Sequence, residues 1–259
     1  MLTPDGLKDG LKTRRFARKI FSFDDIDSTN NCAKALAGCW AEEGTVVVAE
    51  YQSAGRGRLG RTWLSNRNEN LILSIILRPS LQTAAINLLP LYVAVAVSSA
   101  VEAVTGLRVE CKWPNDLLIG GRKFAGILLE GSVNQNELDY VVIGIGINVN
   151  QTTFPPEINN AATSLAHETG HPVDRAVLFR EVMSALEGHY DSLIANGFSG
   201  ILPLWAARAT MINKPITVSL NGTTLSGIVK GVSRDGGLVL QTGNAEQTLF
   251  AGDVTILKE

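Results

Sequence analysis

The fold turns on residues 108–149, RVECKWPNDLLIGGRKFAGILLEGSVNQNELDYVVIGIGINV. Four apolar runs follow one another with little chain between them: Arg108 to Lys112, Leu117 to Ile119, Phe124 to Glu130 and Tyr140 to Val149. Gly120-Gly121 and Asn134-Gln135-Asn136 supply turn signals. A parallel neighbour needs a crossover of a dozen residues or more, and no gap here is that long. The runs are therefore read as strands pairing antiparallel in a meander. The last run is also a candidate sheet edge, where a second copy of the chain could pair.

Upstream, Lys19 to Ile26 alternates like a strand, and Ser28-Thr29-Asn30 opens a short helix carrying Ala33, Leu36 and Ala37, with Ser28 or a neighbour as N-cap. Thr45 to Tyr51 is a β-branched run that predicts a buried strand, and Asn70 to Leu77 predicts another. Ala84 to Val104 is a long apolar helix that Pro90 either kinks or begins. Downstream, Phe179, Val182, Met183, Leu186, Tyr190, Leu193 and Ile194 recur at helical spacing within Asp174 to Asn196, and a further helix is expected over Ile201 to Ala209. Beyond Lys214-Pro215 come short strands with turn signals at Asn221-Gly222 and Asp235-Gly236-Gly237, which predict a small β-barrel leaning on the main domain. The expected class is α+β, a mixed, largely antiparallel sheet packed with helices. Its expected boundaries are a basic leader over 1–19, a main domain over 20–212 and the barrel over 213–259.

The 259 residues carry 23 Lys+Arg against 25 Asp+Glu, a net charge of −2, which supplies no global basic excess for nucleic acid. Apolar residues at 45% and charged residues at 19% are those of a folded soluble protein. Cys32, Cys39 and Cys111 form no CxxC pair and fit a reducing cytoplasm. The longest apolar stretch, Ile86 to Val97, is broken by Asn87 and Pro90 and reads as a buried helix, not a membrane span. The basic N-terminus lacks the apolar segment of a secretory peptide.

Gly55, Gly57 and Gly60 spell G-x-G-x-x-G directly after a strand. A dinucleotide-binding turn must open a helix and be followed about 20 residues later by an acid. Here the chain runs into Trp63-Leu64-Ser65-Asn66 and another strand, with Arg78-Pro79-Ser80 where the acid belongs. Arg56, Arg58 and Arg61 instead interleave three guanidiniums with the glycines. Glycine lets backbone N–H groups approach a ligand, and guanidinium offers bidentate contacts to carboxylate or phosphate. The loop therefore reads as built around an anion, the competing reading being a solvated basic surface loop.

Lys112-Trp113-Pro114-Asn115-Asp116 lies between two strands, and Arg122-Lys123-Phe124-Ala125-Gly126 comes one short hairpin later. This spacing brings Lys112, Asp116 and Lys123 to one end of a hairpin. Two lysines beside a carboxylate suit a polyanion with a divalent ion; the alternative is a turn shaped by Pro114 and Asn115 with solvated lysines.

Five ordered motifs resemble biotin protein ligases: Asp27 to Asn30, Glu50 to Arg61, Lys112 to Leu117, Arg122 to Leu128 and Gly144 to Val149. The resemblance runs from about Ile20 to the C-terminus and implies a class II synthetase-like catalytic domain with an SH3-like terminal barrel. It implies that biotin's carboxylate attacks the α-phosphate of Mg·ATP to give biotinyl-adenylate, and that a lysine of a biotin carboxyl carrier protein, of acetyl-CoA carboxylase or another biotin-dependent carboxylase, then takes the biotinyl group. By the same resemblance Ser28, Thr29, Asn30, Gln52, Gly55, Arg56, Gly57, Arg58, Lys123 and Gly126 would bind biotin. Arg58, Arg61, Trp63, Lys112, Asn115, Asp116, Lys123 and Asn148 would serve ATP, with Lys123, Arg58 and Lys112 as catalytic cations and Asp116 as a Mg²⁺ ligand. For Trp63 an ordinary core aromatic is the other reading, and Ser28 can be a helix cap as well. Lys258 is a candidate for the nucleotide phosphates. Members that also repress transcription carry an N-terminal helix-turn-helix domain, and the roughly 20 residues before the first strand are too few to fold one. The expectation is thus a ligase-only form, monomer or homodimer, cytoplasmic, with neither DNA nor membrane as partner. The competing readings are a lipoate or octanoate ligase or transferase of the same fold and, from another class, a nucleic-acid-binding regulatory module.

Overall fold

The computed structural model describes residues 1–81, 83–134, 137–220 and 222–256. Gln135 and Asn136 of the expected turn, Asn221 of the later one and Lys258 lie outside them. The helices are α1 (Pro4–Lys8), α2 (Thr29–Gly38), α3 (Leu89–Thr105), α4 (Leu165–Thr169), α5 (Arg175–Asn196) and α6 (Ile201–Ala206). The main sheet is built from β1 (Ile20–Ile26), β2 (Val46–Gln52), β3 (Leu71–Leu77), β4 (Glu110–Lys112), β5 (Asp116–Ile119), β6 (Arg122–Asn134) and β7 (Glu137–Ile147). Its order is β1-β2-β3-β7-β6-β5-β4, parallel only between β1 and β2.

The meander β4-β5-β6-β7 is antiparallel throughout. Gly120 and Gly121 take φ of 55° and 74°, the left-handed pair a two-residue hairpin needs, and glycine adopts it without strain. The expectation that Tyr140 to Val149 forms an edge is overturned: β7 lies between β3 and β6, and β1 and β4 are the edges. Its partner β3 arrives from far upstream, a pairing that local spacing does not encode. Pro90 marks a helix start, standing in the first turn of α3, which ends at Gly106 with φ 70°. Residues 85–105 are long and apolar enough to cross a bilayer by composition, yet the most apolar part of this segment is largely buried in the protein.

One face of the sheet packs Val46, Val48, Leu73, Ile75, Ile143 and Ile145 into a core shared with α3 and α5. On the other, α2 covers Val47, Ile76 and Val142 with Ala33 and Ala37 and leaves the rest of the face open. Ser28 is the N-cap residue of α2 but makes no side-chain cap bond. Asp174 does cap α5, accepting from the Ala176 and Val177 amides at 2.7 and 3.1 Å. The second sheet, β8 (Pro215–Leu220), β9 (Thr223–Val232), β10 (Leu238–Thr242), β11 (Ala245–Leu249) and β12 (Asp253–Ile256), is antiparallel in the order β11-β10-β9-β8-β12. Its Ile216, Val218, Val229, Leu238 and Leu240 join the main core, and the Trp113 indole N–H donates to Gly236 O at 3.1 Å.

The first 19 residues are not a loose leader. Leu7, Phe16 and Ala17 are fully buried. The Glu187 carboxylate on α5 accepts from the backbone N–H groups of Arg14, Arg15 and Phe16, each at 2.7 Å. Burial alone would raise the Glu187 carboxyl, but these three donors and the Arg15 charge outweigh it and hold it below its ordinary value of 4.5. A lowered carboxyl stabilises the fold above the unfolded-state value, and the stabilisation is lost as pH falls through the folded one. Glu187→Gln should therefore cost about 1–2 kcal/mol in urea unfolding at pH 7, and the gap to wild type should shrink below about pH 4. A gap constant with pH would refute the role given to the charge.

Candidate active site

Strand residues directly opposite one another share a face, and one such row crosses the open side of the sheet as Ile72, Gly146, Gly126 and Asp116. The next row holds Ser74, Gly144 and Leu128. Glycine at three of these positions leaves the face bare. A Cβ at Gly146 would stand 2.5 Å from Cε2 of Trp63, one at Gly126 would stand 3.0 Å from Trp63 Cζ3, and one at Gly144 would overlap the Asn30 amide. Trp63 and Asn30 lie on the backbone of the sheet because nothing projects there. The resulting cleft is bounded by the start of α2, the glycine-rich loop, the β4–β5 turn and Asp253 of the second sheet.

One end of the cleft is polar. The Thr29 amide and hydroxyl both donate to Gln52 Oε1, at 2.8 and 3.0 Å. The Ser74 hydroxyl reaches Asn30 Oδ1 at 2.6 Å and Thr29 Oγ1 at 2.8 Å. Thr29, Asn30 and Ser74 are nearly fully buried, so these bonds satisfy groups that would otherwise be costly to bury. Ile72 and Leu128, which share this face, provide the apolar wall.

The other end is cationic. Lys123 Nζ lies 2.6 Å from Asp116 Oδ1 and 5.5 Å from the centre of the Trp63 ring. Arg58 donates to Asn115 Oδ1 at 3.3 Å, Asn115 is held by its own donation to Ile127 O at 2.7 Å, and Arg61 pairs with Asp253. Burial pulls the Arg58 guanidinium down, opposed by the Asp253 and Asp116 carboxylates. A half-desolvated cation without a full ion-pair partner is poised to take up an anion. Among the described residues no three His, Cys, Asp or Glu side chains gather as a metal site. Asp116 alone suits a Mg²⁺ whose other ligands are phosphates and water.

The loop opens no long helix. Gly57 N–H donates to Arg61 O at 2.7 Å, Trp63 N–H donates to Gly55 O at 3.0 Å, and only a 3-10 turn at Arg58–Gly60 lies between. This is a hairpin that folds back over the cleft, not a dinucleotide turn.

Of the residues expected to act, Ser28, Thr29, Asn30, Gln52, Arg56, Gly57, Arg58, Arg61, Trp63, Asn115, Asp116, Lys123 and Gly126 line the cleft. Gly55, Lys112 and Asn148 do not. A Cβ at Gly55 would meet Trp63 O at 2.6 Å, so this glycine serves the loop's own packing. Lys112 stands opposite Asp116 in the β4–β5 register. Asn148 is buried and donates to Thr163 O at 3.0 Å, fixing the chain beyond β7. The sequence reading missed Ser74, Glu130 and Asp253 and assigned no role to Gly144 and Gly146. The alternation Gly144-Ile145-Gly146-Ile147 could have revealed the last two, since glycine every second residue strips one face of a strand.

Residues 22–148 match the Biotin/lipoate A/B protein ligase family, and residues 211–257 match the Biotin protein ligase C terminal domain. The chain is 37% identical to the bifunctional ligase/repressor BirA of Bacillus spizizenii over 98% of this chain and 79% of that protein. It is 34% identical to the biotin–[acetyl-CoA-carboxylase] ligase of Paracoccus denitrificans over 88% of this chain and 96% of that one. The structure of biotin protein ligase from Aquifex aeolicus in complex with biotin and ATP superposes with a TM-score of 0.78 at 29% identity, covering 93% of this chain and all of that one.

Gly146→Ala tests the bare face directly. The new methyl must displace the Trp63 ring, so Trp63 emission should shift to the red and stability should fall by about 1–3 kcal/mol. The spectral change should vanish in a Trp63→Phe background, and unaltered emission in Gly146→Ala would show that the ring does not rest on this strand.

Proposed function

Because the chain belongs to the biotin protein ligase family, we propose that it activates biotin with Mg·ATP and passes it to a lysine of a biotin carboxyl carrier protein. The observation that carries this reading is one cleft with a hydrogen-bonding end at Thr29, Asn30 and Gln52 and a cationic end at Arg58, Arg61 and Lys123. Biotin has the matching shape: a polar ureido head, an apolar ring and chain, and a carboxylate.

The head would enter the Thr29–Gln52 end, with the chain along Ile72 and Leu128, so that the carboxylate arrives at Lys123. A carboxylate and a triphosphate repel one another, and near a protein surface two unit charges about 4 Å apart interact by roughly 4 kcal/mol. Lys123 between the two anions, with Arg58 and Arg61 on the phosphates, turns that repulsion into attraction and holds the carboxylate oxygen in line with the α-phosphorus. The new O–P bond forms as the bond to pyrophosphate breaks; Asp116 would help hold the Mg²⁺ of Mg·ATP, which would supply positive charge against the phosphates. Trp63 would stack on the adenine. In the second step the acceptor amine attacks the acyl carbon, AMP leaves with the bonding pair, and the amine proton goes to solvent or to the departing phosphate.

The three free thiols, Cys32, Cys39 and Cys111, suit a reducing cytoplasm. Lipoate lacks a ureido group to meet Thr29 and Gln52, so biotin should raise the melting temperature and lipoate should not. A nucleic-acid module would consume no ATP.

Lys123→Ala should lower biotin-dependent ATP–pyrophosphate exchange by about 10²–10³-fold with an unchanged far-UV spectrum; exchange at the wild-type rate would remove Lys123 from the reaction. The Gln52 to Arg61 loop should be cut by trypsin more slowly with biotinyl-adenylate bound than without it. Ordering each loop residue costs about 1–2 kcal/mol, which ligand contacts help offset, and equal rates would contradict closure by the ligand.

A further inference from the structure

Glu130 does not line the cleft, yet its carboxylate gathers three side chains from two other elements. Lys34 and Asn30 of α2 reach it at 2.7 and 2.8 Å. Arg56 of the glycine-rich loop reaches both of its oxygens, at 2.9 and 3.2 Å, and holds Asn31 Oδ1 at 2.7 Å with the same nitrogen. Glu130 stands on β6 opposite Val142 of β7, so Arg56 ties the loop to the main sheet.

The chemistry of a carboxylate has two consequences here. An ionised carboxylate only accepts, so Asn30 must turn its NH₂ toward Glu130, and its Oδ1 is thereby fixed facing Ser74, which donates at 2.6 Å. Asn30 lines the cleft, and reversing its amide would set an NH₂ against the sheet where an acceptor now lies. Arg56, in turn, joins one arm of the hairpin, where it bridges to Thr62, to Glu130 on the main sheet.

From these contacts, and resting on the reaction proposed above, we infer that Glu130 is a positioning residue that latches the loop through Arg56 and fixes the Asn30 amide. Its chemical purpose is retention. Biotinyl-adenylate is a mixed anhydride that water hydrolyses, and a loop held shut keeps it in place until the acceptor lysine arrives.

The test begins on ligand-free protein. Glu130→Gln keeps the size of the side chain and removes the charge. Trypsin should cut after Arg58 and Arg61 about fivefold faster than in wild type, the loss expected for one partly exposed ion pair. Arg56→Gln should have the same effect, and the double variant no greater one. Lys34→Met, which removes a neighbour of Glu130 but not the latch, should leave cleavage at the wild-type rate. With ligand, biotinyl-adenylate should leave Glu130→Gln at least about tenfold faster, while kcat for ATP–pyrophosphate exchange at saturating biotin changes by less than about threefold. If Glu130→Gln fails to fold, the surface variant Arg56→Gln carries the cleavage measurement alone. Wild-type cleavage rates in the variants, or additive effects in the double variant, would overturn the latch. A wild-type protein that forms no biotinyl-adenylate would instead overturn the proposed reaction, while the ligand-free cleavage still decides on the latch.

Discussion

A sheet that holds a ligand against its face must leave that face bare without coming apart, and the rest of this structure depends on how that is met. Gly126, Gly144 and Gly146 lie on strands β6 and β7, hydrogen-bonded to each other and, through β3 and β5, on both flanks. Glycine keeps its backbone donor and acceptor, so the ladder is unbroken and only side-chain packing is given up. The loss falls on one face. On the other, Ile143, Ile145 and Ile147 are buried in the core that includes α3 and α5, where each large aliphatic side chain removed from water contributes about 1.5–3 kcal/mol. The alternation of glycine with isoleucine in β7 thus divides one strand between a binding surface and a core.

The same alternation shows why part of the fold was legible in the sequence and part was not. The meander could be read because its gaps are too short for any other connection, and the glycine-rich loop could be told from a dinucleotide turn because the chain beyond it has the pattern of a strand where a helix would be required. Both inferences use neighbouring residues. The position of β7 inside the sheet depends on β3, roughly 70 residues upstream in the registers that pair them, and nothing local marks it. Residues 1–19 read as polar and basic because their few apolar side chains, Leu7 and Phe16 among them, are scattered. Their docking depends on Glu187, whose carboxylate receives backbone N–H groups that no composition reveals.

The site divides along the same line. Most residues of the motifs came together in the cleft, while Gly55, Lys112 and Asn148 of the same motifs did not. Glu130 sits in the run Gly126 to Gly131 and reads there as an ordinary outward-facing position of a strand. Its partners are 96 and 74 residues away, at Lys34 and Arg56. A charge whose role is to gather distant groups has no signature in its own segment.

The near-neutral charge of the chain conceals how the cleft is prepared for anions. Lys123 is paired with Asp116, Arg61 with Asp253 and Arg56 with Glu130, whereas among the described residues Arg58 reaches only the neutral Asn115. These carboxylates screen the cations, whose mutual repulsion would otherwise oppose closure of the loop. They also set what can displace them. A phosphate competes with Asp116 for Lys123 only if its charge and bidentate geometry exceed those of the resident carboxylate, a condition that a triphosphate meets more readily than a lone monoanion. Pairing the cations in advance therefore lowers affinity for small anions in general and reserves the site for a ligand that brings several negative oxygens together with a group able to fill the polar end beside Thr29 and Gln52.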